Sequence, residues 1–267
     1  MTATRSQVIK VANIEVLNIL HNKITVLITL ILLLLAIINI MGFSVMLSRI
    51  TSMDYKEIFF QNISNFTFIM SLILAVFSMC IGVTSMAEEK ASGTLNLLFT
   101  KPLLRKNVIA GKFIGINLFC LVYIVLTLLV YLLFLVLYSG FPDPIPDVIY
   151  RIGTLAILMF LSCALTLSVI ISIAVIFKDI TLSLISSTFF IITQWLTWLP
   201  IAHFVLDKFE FMNPSTLYLM TILKEPLFDT SVNYSIWLQN SGPYIILMLL
   251  EIVALMLLGY IFFNRDD

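Results

Sequence analysis

Long apolar runs alternate with short polar passages along the whole chain. Six runs are long enough to cross a hydrocarbon core of ~30 Å, which takes ~20 helical residues. Helices are predicted because open strands cannot satisfy their own backbone hydrogen bonds in lipid, and these runs lack the alternation of barrel strands. The pattern therefore predicts an all-α integral membrane protein with a single transmembrane domain over residues 1–267. The six predicted spans cover residues 24–46, 65–86, 108–138, 152–177, 180–199 and 243–263.

Two segments outside the spans have patterns of their own. Residues 1–23 place apolar and polar positions at roughly helical spacing, which predicts an amphipathic helix along the inner membrane surface. Residues 201–242 form the largest loop, which we place on the outer side between spans five and six. Prolines, among them Pro243 directly after the loop, are expected to divide it into short pieces.

Charge is scarce and unevenly distributed. The sequence is 61% hydrophobic and 11% charged, and its formal net charge of zero gives no basis for binding nucleic acid. Six spans place both termini on one membrane side, where ten of the 15 basic residues fall. Because basic residues favour the cytoplasmic side, we expect both termini in the cytoplasm and a multi-pass protein of the cytoplasmic, or inner, membrane. The ten basic residues are Arg5, Lys10, Lys23, Lys90, Lys101, Arg105, Lys106, Lys112, Lys178 and Arg265.

The passage at residues 87–107, between spans two and three, is unusually polar for this chain. Ser92 can cap a short helix that Pro102 ends, and this helix would carry Leu98 and Phe99 among other apolar residues. A basic, solvated connector is the simplest alternative. Exposed apolar clusters, however, usually mark an interface, either with the membrane surface or with another protein.

The same passage carries a recognisable order of residues. It reads Glu88-Glu89-Lys90-Ala91-Ser92-Gly93-Thr94-Leu95, followed by Leu97-Leu98, Lys101-Pro102, Arg105 and Gly111-Lys112. This order resembles the loop signature of ABC exporter permeases of the type-2 superfamily. The N-terminal helix with Glu15, the six spans and Asn213-Pro214 in the outer loop extend the resemblance over the whole chain. It is most similar to the multi-copper enzyme maturation permeases, a subgroup that includes the permease of the nitrous oxide reductase maturation transporter.

The resemblance implies that the passage is a coupling helix seated in a groove of a separate cytoplasmic ATPase. We call residues 87–107 the coupling segment. The chain lacks the sequence G-x-x-x-x-G-K-[ST] and so cannot cradle nucleotide phosphates. We therefore expect no catalytic site, metal or cofactor in this chain, with ATP and Mg²⁺ bound by the ATPase. The residues expected to contact the ATPase are Glu88, Glu89, Gly93, Thr94, Leu95, Leu98, Phe99, Lys101, Pro102 and Arg105.

The expected partners follow from the same family. They are two copies of the ATPase subunit, a second permease that is identical or similar, and the lipid bilayer. An extracytoplasmic accessory protein is a candidate further partner.

Within the spans, a few residues allow two interpretations each. Glu251 is an acid deep in span six, so it either lines a translocation path with Gln194 of span five or pairs structurally. Gly111 and Gly115 form a GxxxG pattern that permits close helix contact, within the chain or in a dimer. Met159 and Cys163 share a helix face that could hold a soft metal such as Cu(I), although core packing is the simpler interpretation.

The sequence thus predicts the permease subunit of an ATP-driven exporter. An ATP-independent channel or transporter and a non-transporting membrane assembly protein are the alternatives. The spans select no substrate.

Overall fold

The structure is a computed structural model, and it describes residues 2–43, 55–88, 105–140, 142, 145–177, 179–195, 227–228 and 232–265. The described part is entirely helical apart from short connections. The seven α-helices are α1 (Thr2–His21), α2 (Lys23–Ile38), α3 (Tyr55–Val83), α4 (Arg105–Ser139), α5 (Ile145–Ile176), α6 (Ile180–Trp195) and α7 (Tyr234–Arg265). Two π-helical turns extend α2 and α3, namely π1 (Asn39–Phe43) and π2 (Thr84–Glu88).

Five helices of the described residues are long and apolar enough to cross a membrane. They correspond to predicted spans one, two, three, four and six, so these five predictions are supported by length and composition, except that residues 44–46 of span one lie outside the described residues. The fifth predicted span corresponds to α6, whose 16 described residues extend ~24 Å and fall short of a full crossing. Residues 196–199 of that span lie outside the described residues, so a count of six spans stays a prediction.

Helix α5 is the centre of the bundle. Most of its residues are buried, because α3, α4, α6 and α7 all pack around it. Small residues allow close approach, as where a Cβ on Gly82 of α3 would lie 2.8 Å from the Ile170 side chain. On the other side, Ser172 of α5 donates a hydrogen bond to the Leu255 carbonyl of α7 at 3.1 Å. Small and hydroxyl side chains are the usual means of packing helices where no hydrophobic effect drives association.

Helices α1 and α2 lie one after the other along α4 and run parallel to it. A cap divides them, since the Asn22 side chain accepts a hydrogen bond from the Ile24 N–H at 3.0 Å. Further along, the Tyr123 hydroxyl of α4 donates to Thr29 of α2 at 3.2 Å. The 35 residues of α4 extend ~52 Å, which exceeds a hydrocarbon core and leaves room beside its first turns for α1.

Helix α7 begins earlier than the sequence predicts. It starts at Tyr234 and continues through Pro243, which was expected to separate the outer loop from the span. Proline is tolerated in membrane helices because neighbouring groups satisfy the carbonyl that it leaves unpaired. The added turns are held against α5 by Tyr234, whose hydroxyl hydrogen-bonds with Thr154 at 2.6 Å, and they also include the buried Trp237.

Two polar clusters lie on the side of the bundle remote from the coupling segment, near the start of α3, the end of α4 and the start of α5. Arg151 of α5 lies one residue before the start of predicted span four, yet it is buried and donates to Asp147 and to the carbonyls of Leu227 and Val232. These bonds hold the segment before α7 against α5.

The second cluster is centred on Tyr131 of α4. The single proton of its hydroxyl lies between two acceptors, the Asn39 side-chain oxygen of π1 at 2.8 Å and the Asn62 carbonyl of α3 at 2.9 Å. Its ring stacks on Phe66 at a centroid distance of 3.9 Å. These contacts join α2, α3 and α4.

Candidate functional site

The candidate site is the base of the coupling segment, where π2 leads into the segment and α4 leaves it. Glu88 is the last residue of π2 and Arg105 is the first of α4, and their side chains are not described. The helix predicted between Ser92 and Pro102 therefore lies outside the described residues. So do the remaining residues predicted to contact an ATPase, namely Glu89, Gly93, Thr94, Leu95, Leu98, Phe99, Lys101 and Pro102.

Lys112, in the second turn of α4, connects three elements of this base. Its ammonium donates to the Ser85 carbonyl of π2 at 2.8 Å and to the Ser85 hydroxyl at 3.1 Å. It also forms an ion pair with Glu15 of α1, with Nζ and Oε2 3.3 Å apart. The two side chains are only 3% and 7% exposed, respectively. A buried ammonium is tolerated where such partners replace its hydration.

Two glycines bring α1 against α4 beside this ion pair. A Cβ on Gly111 would lie 2.7 Å from the Val11 Cβ, and one on Gly115 would lie 2.7 Å from the Ala12 carbonyl oxygen. Both distances are shorter than real Cβ contacts, so only glycine allows this separation. The GxxxG face is thus filled by α1 of the same chain and is not available to a second copy.

A further polar contact fixes the first turn of α4. The Asn107 amide donates to the Gln7 side chain of α1 at 3.0 Å. Together with the glycine contacts and the ion pair, it places polar or close contacts along two to three turns of α1. The predicted helix at residues 1–23 is therefore present, and one of its faces packs on protein.

The opposite face of α1 is exposed and carries both polar residues, such as Lys10 and Asn13, and large hydrophobic ones. These hydrophobic residues are each more than half exposed in the chain. They are Ile9, Ile14, Leu17 and Leu20. Placement of α1 along the inner membrane surface stays a prediction.

Sequence reasoning placed Lys112 among the cytoplasmic charges and in the family signature but missed its contacts with α1 and π2. Two signals were available in the sequence. Glu15 follows Val11 and Ala12 by helical spacing, and Lys112 lies between two glycines that permit another helix to approach closely. An acid and a base on facing close-packed helices are expected to pair when both are removed from water.

The two residues predicted to line a path are not brought together by the contacts described. Glu251 lies in the middle of α7 and is partly buried. Gln194 lies near the end of α6, and its side chain is outside the described residues. A path role for this pair stays a prediction.

Met159 and Cys163 do share a buried face of α5. The Cys163 thiol lies 3.1 Å from the Ser78 hydroxyl of α3, and the buried Cys120 thiol of α4 lies beside it. In the part of the chain that the structure describes, no group of three or more His, Cys, Asp or Glu residues could hold a metal ion. The contacts are those of helix packing, with weakly polar groups paired across three helices.

A comparison with known families matches residues 9–267 to a family model described as "ABC-2 family transporter protein". The matched range includes most of α1 and, among the described residues, the five apolar helices long enough to span a membrane. Among curated proteins, none matches the chain.

Proposed function

Because the chain belongs to the ABC-2 transporter family and is thus a permease component of an ABC transporter, we propose that it couples ATP hydrolysis by a separate cytoplasmic ATPase to export. In this proposal the coupling segment docks in a groove of the ATPase. Leu95, Leu98 and Phe99 fill the groove, and rim charges such as Glu88 and Arg105 set the register with ~1 kcal/mol or less each.

The observation that carries the proposal is the attachment of both ends of the coupling segment. Its entry, π2, is bonded to α4 through Ser85 and Lys112, and its exit is the first turn of α4 itself. A segment held at both ends by long membrane helices can pass a displacement to them with little loss. A flexible connector would absorb the same displacement.

The remaining parts of the proposal concern assembly and placement. Two ATPase subunits bind two permease chains, the second being an identical or similar chain, and both termini lie in the cytoplasm. Closure of the ATPase subunits would bring the two coupling segments together and shift the spans between inward-facing and outward-facing arrangements. The order of residues from Glu88 to Lys112 supports the maturation-permease subgroup, while the substrate stays open.

The test begins with purification of the tagged chain from its native membrane. We expect an ATPase that carries G-x-x-x-x-G-K-[ST] to co-purify, and its ATP hydrolysis to rise when both proteins are reconstituted in liposomes. Leu98→Asp should reduce the bound ATPase about tenfold or more, since an unpaired charge in an apolar groove costs more than the ~1.4 kcal/mol that a factor of ten requires.

Leu217→Asp is the matched control, because it makes the same substitution in the predicted outer loop, on the membrane side opposite to the ATPase. It should leave the bound ATPase unchanged. Full ATPase recovery with Leu98→Asp would refute the docking assignment. Absence of any stimulated ATPase with the unaltered chain would instead favour an ATP-independent transporter or an assembly protein.

A further inference from the structure

The bonds of Lys112 join the entry of the coupling segment to the N-terminal helix. Ser85 lies in π2, three residues before its end, and Glu15 lies on α1, ninety-seven residues from Lys112 in sequence. A buried ion pair contributes little net stability compared with apolar residues of similar size. Apolar side chains could have packed α1 on α4 without it. The placement of the charge therefore calls for a reason other than packing.

We propose that Lys112 is a positioning residue for coupling, which makes α1 move together with the entry of the coupling segment. The inference rests on the proposed function, because it assumes that an ATPase displaces that segment. When π2 is displaced, its bonds from Ser85 to the ammonium displace the Lys112 side chain. Because the ammonium is also paired with the Glu15 carboxylate, α1 is displaced with it.

The geometry supports a link that is separate from helix packing. Gly111 and Gly115 hold α1 against α4 by close backbone contact, and this contact does not involve π2. The bonds from Lys112 to Ser85 are what tie π2 to the same pair of helices. Loss of the ammonium should therefore leave α1 on α4 and leave π2 packed on α5 and α6, but remove the bonds by which a displacement of π2 reaches α1.

The π-helical turn suits such a junction. A π-turn departs from the α-helical hydrogen-bond pattern, and such turns occur frequently at functional sites. In π2 the Ser85 carbonyl and hydroxyl both accept from Lys112. The lysine side chain also suits a moving joint, because it is flexible and its three donors can be directed to different acceptors.

The coupling of α1 to nucleotide can be measured without knowing the substrate. The complex with its ATPase is placed in nanodiscs, with spin labels on α1 and α5 at Leu17→Cys and Ile157→Cys, both exposed sites. The background carries Cys80→Ser, since Cys80 is the free cysteine that is not buried. We expect the distance between the labels to differ between the nucleotide-free state and the state trapped with ATP and vanadate.

The variants separate positioning from folding. Lys112→Met keeps the length and volume of the side chain but removes the charge, and it should reduce the nucleotide-dependent change in distance at least twofold. Glu15→Gln should reduce it less, because an amide oxygen still accepts a hydrogen bond. Lys112→Arg should retain most of it. In all three variants the amount of bound ATPase should stay within twofold of the parent.

Several outcomes would overturn the inference. The first is a nucleotide-dependent change in label distance that is as large in Lys112→Met as in the parent. The second is a parent whose label distance does not change with nucleotide although its ATPase is bound and stimulated. A loss of coupling that tracks the thermal stability of the three variants would assign Lys112 a structural role only. If no ATPase binds the parent, the proposed function fails and the inference with it. These results are distinguishable because ATPase binding and α1 movement are measured separately.

Discussion

Substitution of Gly115 by alanine or valine tests how closely α1 packs on α4. A Cβ at this position would lie 2.7 Å from the Ala12 carbonyl oxygen and 3.0 Å from the Ala12 Cα. The first distance is about 0.7 Å inside the 3.4 Å at which ordinary van der Waals contact begins. Both atoms belong to the backbone of α1, so no side chain can rotate away. The whole helix must move instead.

The substitution should change the free energy of α1 attachment to α4 through two effects of opposite sign. Overpacking a close contact costs ~1–3 kcal/mol, while replacing a helical glycine by alanine gains ~1 kcal/mol of helix propensity. Gly115→Ala should therefore weaken the attachment of α1 by ~0–2 kcal/mol. Gly115→Val adds two methyl groups at the same contact and lacks most of the propensity gain, so it should lie above that range.

Labelling of a buried position on α1 measures the attachment. Ala12 is 6% exposed, so the cysteine in Ala12→Cys should react with a maleimide only when α1 leaves α4. If the attachment of α1 to α4 weakens by ~2 kcal/mol, the cysteine should be labelled about 30-fold faster. Gly153→Ala is the control, since nothing lies within 4 Å of its added Cβ, and it should leave the rate unchanged. A rate in Gly115→Val equal to that of the parent would refute the close packing described.

Three further substitutions test other contacts of the bundle by thermal unfolding in detergent. Arg151→Met should lower the unfolding temperature, because two carbonyls before α7 lose their donor at ~1–3 kcal/mol for each buried group left unpaired; an unchanged temperature would contradict the role given to Arg151. Tyr131→Phe should cost ~1–3 kcal/mol because two buried acceptors lose the hydroxyl proton that they share, whereas Tyr150→Phe, at an exposed tyrosine, should cost little. Gly82→Ala should also lower the unfolding temperature, because its Cβ would lie 2.8 Å from Cγ2 of Ile170, a stiff and fully buried side chain, and an unchanged temperature would count against this argument.

The sequence predicts which parts of the chain cross lipid better than it predicts where helices end. Apolar length is a local property, and the described part of each of the five supported spans is helical or lies at a helix end. Hydropathy indicates which residues lie in lipid and does not mark where a helix begins, so the polar first turns of α5 and α7 were assigned to loops. These turns are held by tertiary contacts, such as the hydrogen bond between Thr154 and Tyr234 and the bond from Arg151 to the Val232 carbonyl.

In the candidate site, too, features set by local sequence are predictable and features set by tertiary contacts are not. The coupling segment is recognisable because its apolar residues, its charges and Pro102 follow one another in sequence. The Lys112 ion pair is not recognisable in this way, since its partners come from α1 and π2 and lie far apart along the chain. Whether a lysine near the start of a span faces water or another helix depends on tertiary packing, which local composition does not determine.

A groove lies between α4 and α7, two helices that both pack on α5. Glycine contacts, the Lys112 bonds and the Tyr131 cluster join α1, α2, π2 and α3 to α4, whereas hydrogen bonds of Thr154 and Ser172 join α5 to α7. The groove has a volume of about 550 Å³ and apolar walls, with Ile109 and Phe113 of α4 facing Ile252 and Met256 of α7. Apolar contacts are non-directional, so such walls can slide at small cost, while the hydrogen-bonded contacts resist displacement. A pull on the coupling segment should therefore move α4 and α1 as one unit and change the width of this groove first.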